Sequence, residues 1–168
     1  MKLSPRLKQK LSKVRLVLTD VDGVLCTRDL WLAGGQDIKR FSALDGIGKY
    51  KLDKLGIVVG IITGRESETV RVRACELGIE LVRIATASKV REYDMIMADG
   101  TWTADEVCYI GDDEPDTELF TEVGLAVAPA DTSITVRSYA DYVTIAKGGG
   151  GVLREVADLI VAVQAQCA

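Results

Sequence analysis

Six short apolar runs alternating with helical segments constrain this chain more than any other feature of it. The runs are Val14 to Thr19, Ile57 to Thr63, Leu81 to Ile84, Val107 to Ile110, Leu125 to Ala128 and Tyr142 to Ile145. Helical patterns at Asp45 to Leu55, Glu66 to Leu77, Lys89 to Ala98, Pro115 to Val123 and Ser133 to Tyr139 separate them, and Val152 to Ala165 closes the chain. Strands interleaved with helices of this length build βαβ units, so the expected fold is α/β: a doubly wound, Rossmann-like parallel sheet with helices on both faces. One insertion breaks the rhythm. Leu30 to Ala33, the turn Gly34-Gly35-Gln36-Asp37 and Ile38 to Ser42 read as a β-hairpin with a glycine-led turn. At 168 residues, with no long linker or repeat, the chain reads as one domain spanning 1–168.

In such a sheet ligands collect at the carboxyl ends of the strands, and four polar groups fall there. Asp20-Val21-Asp22-Gly23 follows the first run. Residues two apart in an extended segment point the same way, so one carboxylate can attack while the other handles a proton, and the pair favours a divalent cation. Taken alone, an Asp-x-Asp-Gly is more often a solvated turn. Thr63-Gly64-Arg65 follows the second run and offers a hydroxyl and backbone N–H groups to a phosphoryl oxygen. Thr63-x-x-Glu66 is also a capping box, and by itself the cap is the better reading. Lys89, one residue after Ser88, opposes the dipole of the helix it opens and so suits an anion-neutralising role, although a solvated surface lysine is the commoner case. Gly111-Asp112-Asp113-Glu114-Pro115-Asp116 follows the fourth run. Asp113 and Glu114 can dress a helix N-terminus; Asp112, at the strand tip, is the better candidate to complete a metal site.

Composition removes the competing chemistries. The chain has no histidine, which excludes Ser-His-Asp and Cys-His catalysis, phosphohistidine chemistry and most zinc sites. Proton transfer falls to carboxylate, lysine, tyrosine or cysteine. Cys26, Cys75, Cys108 and Cys167 form no C-x-x-C pair and read as free thiols of a reducing compartment, hence a cytoplasmic protein. No apolar stretch approaches the length of a membrane span. A net charge of -4 argues against nucleic acid as a partner. The first fifteen residues are a local exception, with six Lys or Arg and no acid. Leu3, Leu7 and Leu11 behind Ser4-Pro5 predict a basic amphipathic helix within 1–13 that packs its leucines on its own domain, or alternatively meets a membrane surface or an acidic partner.

Asp-x-Asp-Gly, Thr-Gly-Arg, Lys and Gly-Asp-Asp-x-x-Asp at successive strand ends resemble the haloacid dehalogenase superfamily of phosphotransferases. Leu18 to Leu25, Phe41, Asp45-Gly46, Ile61 to Arg65, Tyr109 to Asp113 and Gly148 to Glu155 resemble its small 3-deoxy-D-manno-octulosonate 8-phosphate (KDO-8-phosphate) phosphatases. The resemblance implies a Mg2+-dependent phosphatase working through an aspartyl-phosphate. Asp20 would be the nucleophile and Asp22 the acid and base. Magnesium would be held by Asp20, the backbone carbonyl of Asp22, and Asp112. Thr63, the Gly64 amide and Lys89 would bind phosphoryl oxygens, with Asp116 orienting Lys89 or metal waters and Asp113 free to serve either way.

Too little chain separates these motifs to hold a cap domain. The resemblance implies a homotetramer in which hairpins pair and neighbouring subunits cover the site, with Leu30 to Ser42 at the interface. Lys147 and Arg154, flanking the glycine run Gly148 to Gly151, would reach a neighbour's site and bind an acidic sugar, and Arg65 would meet its carboxylate. By itself that glycine run reads as a flexible turn opening the last helix. The chain departs from the pattern at Cys26-Thr27-Arg28-Asp29, where relatives continue Thr-Asp-Gly. It departs again at Ala85-Thr86-Ala87-Ser88, where they carry a glycine four residues before the lysine, and at Glu114-Pro115. The first two border the substrate pocket, so a nine-carbon keto acid 9-phosphate or another sugar phosphate stands as an alternative substrate. A non-catalytic oligomerisation module like those of sialic-acid-activating synthetases is a further alternative. A phospho-acceptor receiver domain fits less well, because there the lysine follows the phosphorylated aspartate's strand rather than preceding the last acidic motif.

Overall fold

The computed structural model describes residues 3–34 and 36–166. Helix α1 (Pro5–Lys13) leads into β1 (Leu16–Thr19), the hairpin strands β2 (Trp31–Ala33) and β3 (Gln36–Ile38), and α2 (Ala43–Lys54). Strand β4 (Val58–Ile62), α3 (Glu68–Glu76), β5 (Leu81–Arg83) and α4 (Lys89–Asp99) follow. After a short 3-10 turn at Ala104–Glu106 come β6 (Val107–Ile110), a second 3-10 turn (Glu114–Asp116), α5 (Thr117–Glu122) and β7 (Leu125–Ala128). Helix α6 (Ile134–Arg137), β8 (Tyr142–Val143) and α7 (Val152–Gln164) complete the described chain.

The apolar runs form one six-stranded sheet in the order β5-β4-β1-β6-β7-β8, every neighbouring pair parallel. Side chains alternate between its faces, as strand geometry requires. Val17, Val59, Ile61, Cys108, Ile110 and Val127 join a core closed by residues of α1, α2, α3 and α7. Leu16, Leu18, Ile62, Tyr109 and Ala126 join a second core closed by α4, α5 and α6. Burial on both faces is why these strands read as continuous apolar runs rather than alternating ones. Each fully buried Leu, Ile or Val contributes about 1.5–3 kcal/mol relative to exposure. Ser4, Ser42, Ser67, Ser88 and Ser133 cap the helices that follow them, each accepting a backbone N–H of the first turn.

Strand order places the site. The chain moves outward from β1 to β4 and β5, then returns to lay β6 on the other flank of β1. The loops after β1 and β6 therefore diverge at the switch point of the sheet, where a crevice opens. Among the described residues no cap element intervenes: the hairpin and α2 occupy the interval between β1 and β4, and α3 and β5 the interval from β4 to α4.

Three expectations need adjustment. The hairpin pairs only Trp31–Ala33 with Gln36–Ile38; Lys39 to Ser42 leave it because Lys39 turns inward to an ion pair and Phe41 bridges to Cys26. Gly34 takes the positive φ that leads the turn, and Gly35 lies outside the described residues. The Thr63-x-x-Glu66 capping box does not form, since α3 starts later, on the Ser67 cap. The glycine run is a packed joint rather than a loose turn. The Gly149 N–H donates to the Val24 carbonyl and the Gly148 N–H to the Asp131 carboxylate, and a Cβ on Gly148 would run into the Gly23 backbone. The basic helix packs on its own chain: Leu11 is buried, Leu3 and Leu7 lie against the same core, and Lys10 and Lys13 pair with Asp141 and Asp105.

Candidate active site

At the carboxyl ends of β1, β4 and β6 lies an open cleft of about 930 Å³, lined among others by Asp20, Asp22, Thr63, Gly64, Lys89 and Asp112. Arg65, Asp113 and Asp116 also line it. Nine of the eleven side chains singled out in the sequence thus converge on one volume. Lys147 and Arg154 do not line this cleft of their own chain: Lys147 is exposed, and Arg154 pairs with Asp158 one turn along α7 at 2.8 Å.

Asp20 is fixed by the sheet itself. Its N–H donates to the Ile110 carbonyl at 2.9 Å, extending the β1–β6 pairing by one residue and leaving a nearly buried carboxylate at the strand tip. Lys89 reaches it from the first turn of α4, 3.2 Å from Oδ1. Burial pushes the Asp20 carboxyl up to about 7, against the pull of Lys89 and with the charges of Asp116 and Asp112 adding to the rise. Burial likewise raises Asp112 to about 6, although the Arg28 guanidinium beside it works in the other direction. Burial opposes the Lys89 charge, but Asp20 and Asp116 outweigh it and raise the ammonium's pKa.

Asp116 has no solvent exposure, and four donors saturate it. Oδ1 accepts from Lys89 Nζ and the Tyr109 hydroxyl, both at 2.5 Å. Oδ2 accepts the backbone N–H groups of Asp112 and Asp113. It therefore orients Lys89 and the loop bearing Asp112. Asp113 caps the 3-10 turn through Glu114 N–H.

The buried carboxylates test the site for a cation. Oxygens of Asp20, Asp112 and Asp116 lie within 4.8 Å of one another. Asp20 and Asp116 share Lys89, and Asp112 pairs with Arg28; the three acids offer hard oxygens, the set a divalent cation such as Mg2+ takes. With Asp116 already saturated, Asp20 and Asp112 are the two carboxylates left for a metal. Gly23 makes room beside them: it takes φ +86°, and a Cβ there would overlap the Asp112 carboxylate.

Asp22 stands at the cleft's other wall. Its Oδ1 accepts from Lys39 Nζ at 2.5 Å, and its Oδ2 lies 3.3 Å from Arg65 Nε. Thr63 is buried at the tip of β4, and with its capping role taken by Ser67 its hydroxyl serves the loop and the cleft. The sequence reading missed three participants. Lys39 carries no periodic signal, and its 2% exposed side chain is visible only in the fold. Tyr109 is hidden within an apolar run, where a core residue is the natural expectation. Arg28 is marked in the sequence only as a departure from a family pattern; it binds Asp112 Oδ2 at 2.7 Å and the carbonyl of Asp131. Among the described residues Cys26, Cys75 and Cys108 are free thiols, and Cys167 lies outside them. Among the described residues no helix is long and apolar enough to cross a membrane.

Comparison with known proteins adds four similarities to this geometry. A family model described as haloacid dehalogenase-like hydrolase matches residues 79–156. The 3-deoxy-D-manno-octulosonate 8-phosphate phosphatase of Haemophilus influenzae is 37% identical over 159 residues, covering 94% of this chain and 88% of the relative. The crystal structure of the Yersinia pestis phosphatase of the same name superposes with a TM-score of 0.94 at 36% identity, covering 98% of this chain and 89% of that one. The Moraxella catarrhalis phosphatase, crystallised with magnesium, phosphate and KDO, gives a TM-score of 0.91 at 32% identity, covering 98% and 95%.

Proposed function

The chain belongs to the haloacid dehalogenase-like hydrolase family, and we propose that within it the protein hydrolyses KDO-8-phosphate to KDO and phosphate. It is a phosphoric monoester hydrolase that uses a divalent metal, and magnesium is the ion we assign. The observation that carries the reading is the convergence of Asp20, Asp22, Thr63, Lys89 and Asp112 on one cleft, in a chain alike over nearly its whole length to phosphatases of that substrate.

Asp20, the Asp22 backbone carbonyl and Asp112 would hold the metal. When bound, the ion neutralises charge on the phosphoryl group and lets an anionic nucleophile approach it. Asp20 attacks phosphorus through a carboxylate oxygen; as that P–O bond forms, the ester P–O bond breaks. Asp22 gives its proton to the departing sugar oxygen. A water then attacks the aspartyl-phosphate, Asp22 takes the proton from that water, and phosphate leaves with Asp20 restored. Dividing one displacement into two easier ones is the gain of the covalent route. Thr63, the Gly64 amide and Lys89 bind the spreading equatorial charge. Asp116 keeps Lys89 aimed at Asp20.

Arg65, beside Asp22 on the cleft wall, is assigned to the sugar acid's carboxylate. The cleft is open and uncapped within one chain, and the hairpin presents apolar side chains outward. Both features support a homotetramer in which a neighbour's Lys147 and Arg154 complete the substrate site. Free thiols support a cytoplasmic location. We assign 1–168 to a single catalytic domain.

The test is phosphate release from a panel of phosphorylated sugars, with magnesium and with chelator, for wild type and Asp20→Asn. Magnesium-dependent release that peaks on KDO-8-phosphate and is lost in the variant is the expected outcome. A peak on another sugar phosphate keeps the chemistry and moves the substrate. Folded, metal-bound protein that releases phosphate from none of them would contradict the enzymatic reading.

A further inference from the structure

Lys39 is a buried cation that stands behind the cleft wall. Its side chain is 2% exposed and is absent from the cleft lining. Burying an ammonium costs several kcal/mol unless partners compensate, and two carboxylates do so here. Nζ donates to Asp22 Oδ1 at 2.5 Å and lies 3.2 Å from Asp37 Oδ2. Asp37 is anchored in turn, accepting from the Ser67 hydroxyl at 2.7 Å and from the Thr69 hydroxyl. Ser67 is the cap of α3, two residues beyond Arg65. A chain of charged and polar contacts therefore runs from the start of α3, through the hairpin strand β3, to a single oxygen of Asp22. The other oxygen, Oδ2, is left on the side of Arg65, which lines the cleft.

We propose that Lys39 is a positioning residue for proton transfer: by holding Oδ1 it turns Oδ2 of Asp22 toward the leaving oxygen. This rests on Asp22 being the proton donor. The Lys39 ammonium keeps its own proton throughout. In the first step the proton moves from Asp22 Oδ2 to the sugar oxygen as the ester bond breaks, and the ammonium balances the negative charge left on Asp22. In the second step the attacking water returns a proton to Oδ2. Without Lys39 only the weak Cys26 thiol contact remains on Oδ1, and the carboxylate is free to rotate about its Cβ–Cγ bond toward Arg65.

A leaving group that departs without a proton separates this role from a general loss of structure. Activity of wild type, Lys39→Gln, Asp22→Asn and the double variant is compared on a sugar phosphate, whose alkoxide needs protonation, and on para-nitrophenyl phosphate, whose phenolate does not. For Lys39→Gln, kcat/KM on the sugar phosphate, which reports the displacement that forms the aspartyl-phosphate and not the water attack common to both substrates, should fall about ten- to hundredfold. On para-nitrophenyl phosphate it should stay within about threefold of wild type. The double variant should be no slower than Asp22→Asn alone, because Lys39 acts through Asp22. Lys39→Arg, which keeps a cation in the slot, should recover most of the sugar phosphate rate. Equal losses on both substrates, losses additive with Asp22→Asn, or an Arg variant as poor as the Gln variant would overturn the proposal. Should Asp22→Asn itself lose kcat/KM equally on both substrates, Asp22 is not the proton donor. In that event the proposal falls with that assignment rather than on its own evidence.

Discussion

At Asp112 two positive charges compete for one carboxylate: the Arg28 guanidinium, which holds Oδ2 at 2.7 Å, and the divalent cation the family uses. Nη1 of the same arginine donates to the Asp131 carbonyl, so its position is built rather than incidental. A cation at Asp20 and Asp112 must share or displace this contact. Arg28→Ala is therefore expected to bind Mg2+ more tightly, by about tenfold if a charge-assisted hydrogen bond of roughly 1.4 kcal/mol is released. Calorimetric titration of the metal-free protein reads this directly; equal or weaker affinity in the variant would show that Arg28 supports the metal site instead. Residue identity alone made the acidic motif legible, because Asp20, Asp22 and Asp112 stand at strand tips that the apolar runs announce. Arg28 and Lys39 were not legible as site residues. Their partners are 84 and 17 positions away, and no local pattern encodes a contact that only the closed fold creates.

The connection between β5 and α4 shows how an element can be strained by one missing glycine. Ala85 is the only described non-glycine residue at positive φ, at +59°, and it sits where the family pattern carries glycine. An L-residue pays about 1–2 kcal/mol for that conformation. The turn is held in it from both sides: Thr63 N–H donates to the Arg83 carbonyl, and Thr86 N–H to the Thr63 carbonyl. These contacts aim Lys89 at Asp20 while bracing the phosphate-binding loop. Ala85→Gly is expected to stabilise the protein by about 1 kcal/mol, less the entropy the new glycine restores to the unfolded chain, with no loss of phosphate release. Chemical denaturation measures it, and a destabilised variant would refute strain at this turn. At this scale the strands were readable almost to the residue, with Val107–Ile110 and Leu125–Ala128 as expected from their apolar runs. Helix starts were less so: a Thr-x-x-Glu pattern and a nearby Ser67 compete for one cap, and only tertiary placement of Thr63 at the cleft decides between them. The run Gly148 to Gly151 was misread for a similar reason, since Gly148 answers to the Gly23 backbone and Gly149 to the backbone of Cys26 and Thr27 packed against them.

In the whole molecule the hairpin is the part least explained by a single chain. Trp31 is 66% and Leu32 72% exposed, and Leu30 and Ile38 add to the same apolar surface. Exposed apolar side chains grouped in this way mark an interaction site. The same hairpin carries Asp37, and Lys39 directly follows it, so the face proposed for assembly and the wall of the active site are one structural unit. Trp31→Lys with Leu32→Lys is expected to convert the assembly to smaller species by light scattering and to raise KM for the sugar acid, as a neighbour's Lys147 and Arg154 are withdrawn. A wild-type protein that is monomeric at micromolar concentration would contradict the shared site. The sheet order and the two cores followed from the apolar pattern; what the hairpin meets did not, because an exposed surface records its partner only through the contacts the partner makes.

In the proposed reaction, phosphate passes through Asp20 in two displacements. Each in-line displacement inverts phosphorus, so two restore its configuration. The direct measurement is the stereochemical course of hydrolysis of the KDO-8-phosphorothioate analogue, made chiral at phosphorus with two oxygen isotopes and hydrolysed in water of the third. Retention of configuration is expected; inversion would mean that water attacks the substrate directly and that Asp20 is not the nucleophile.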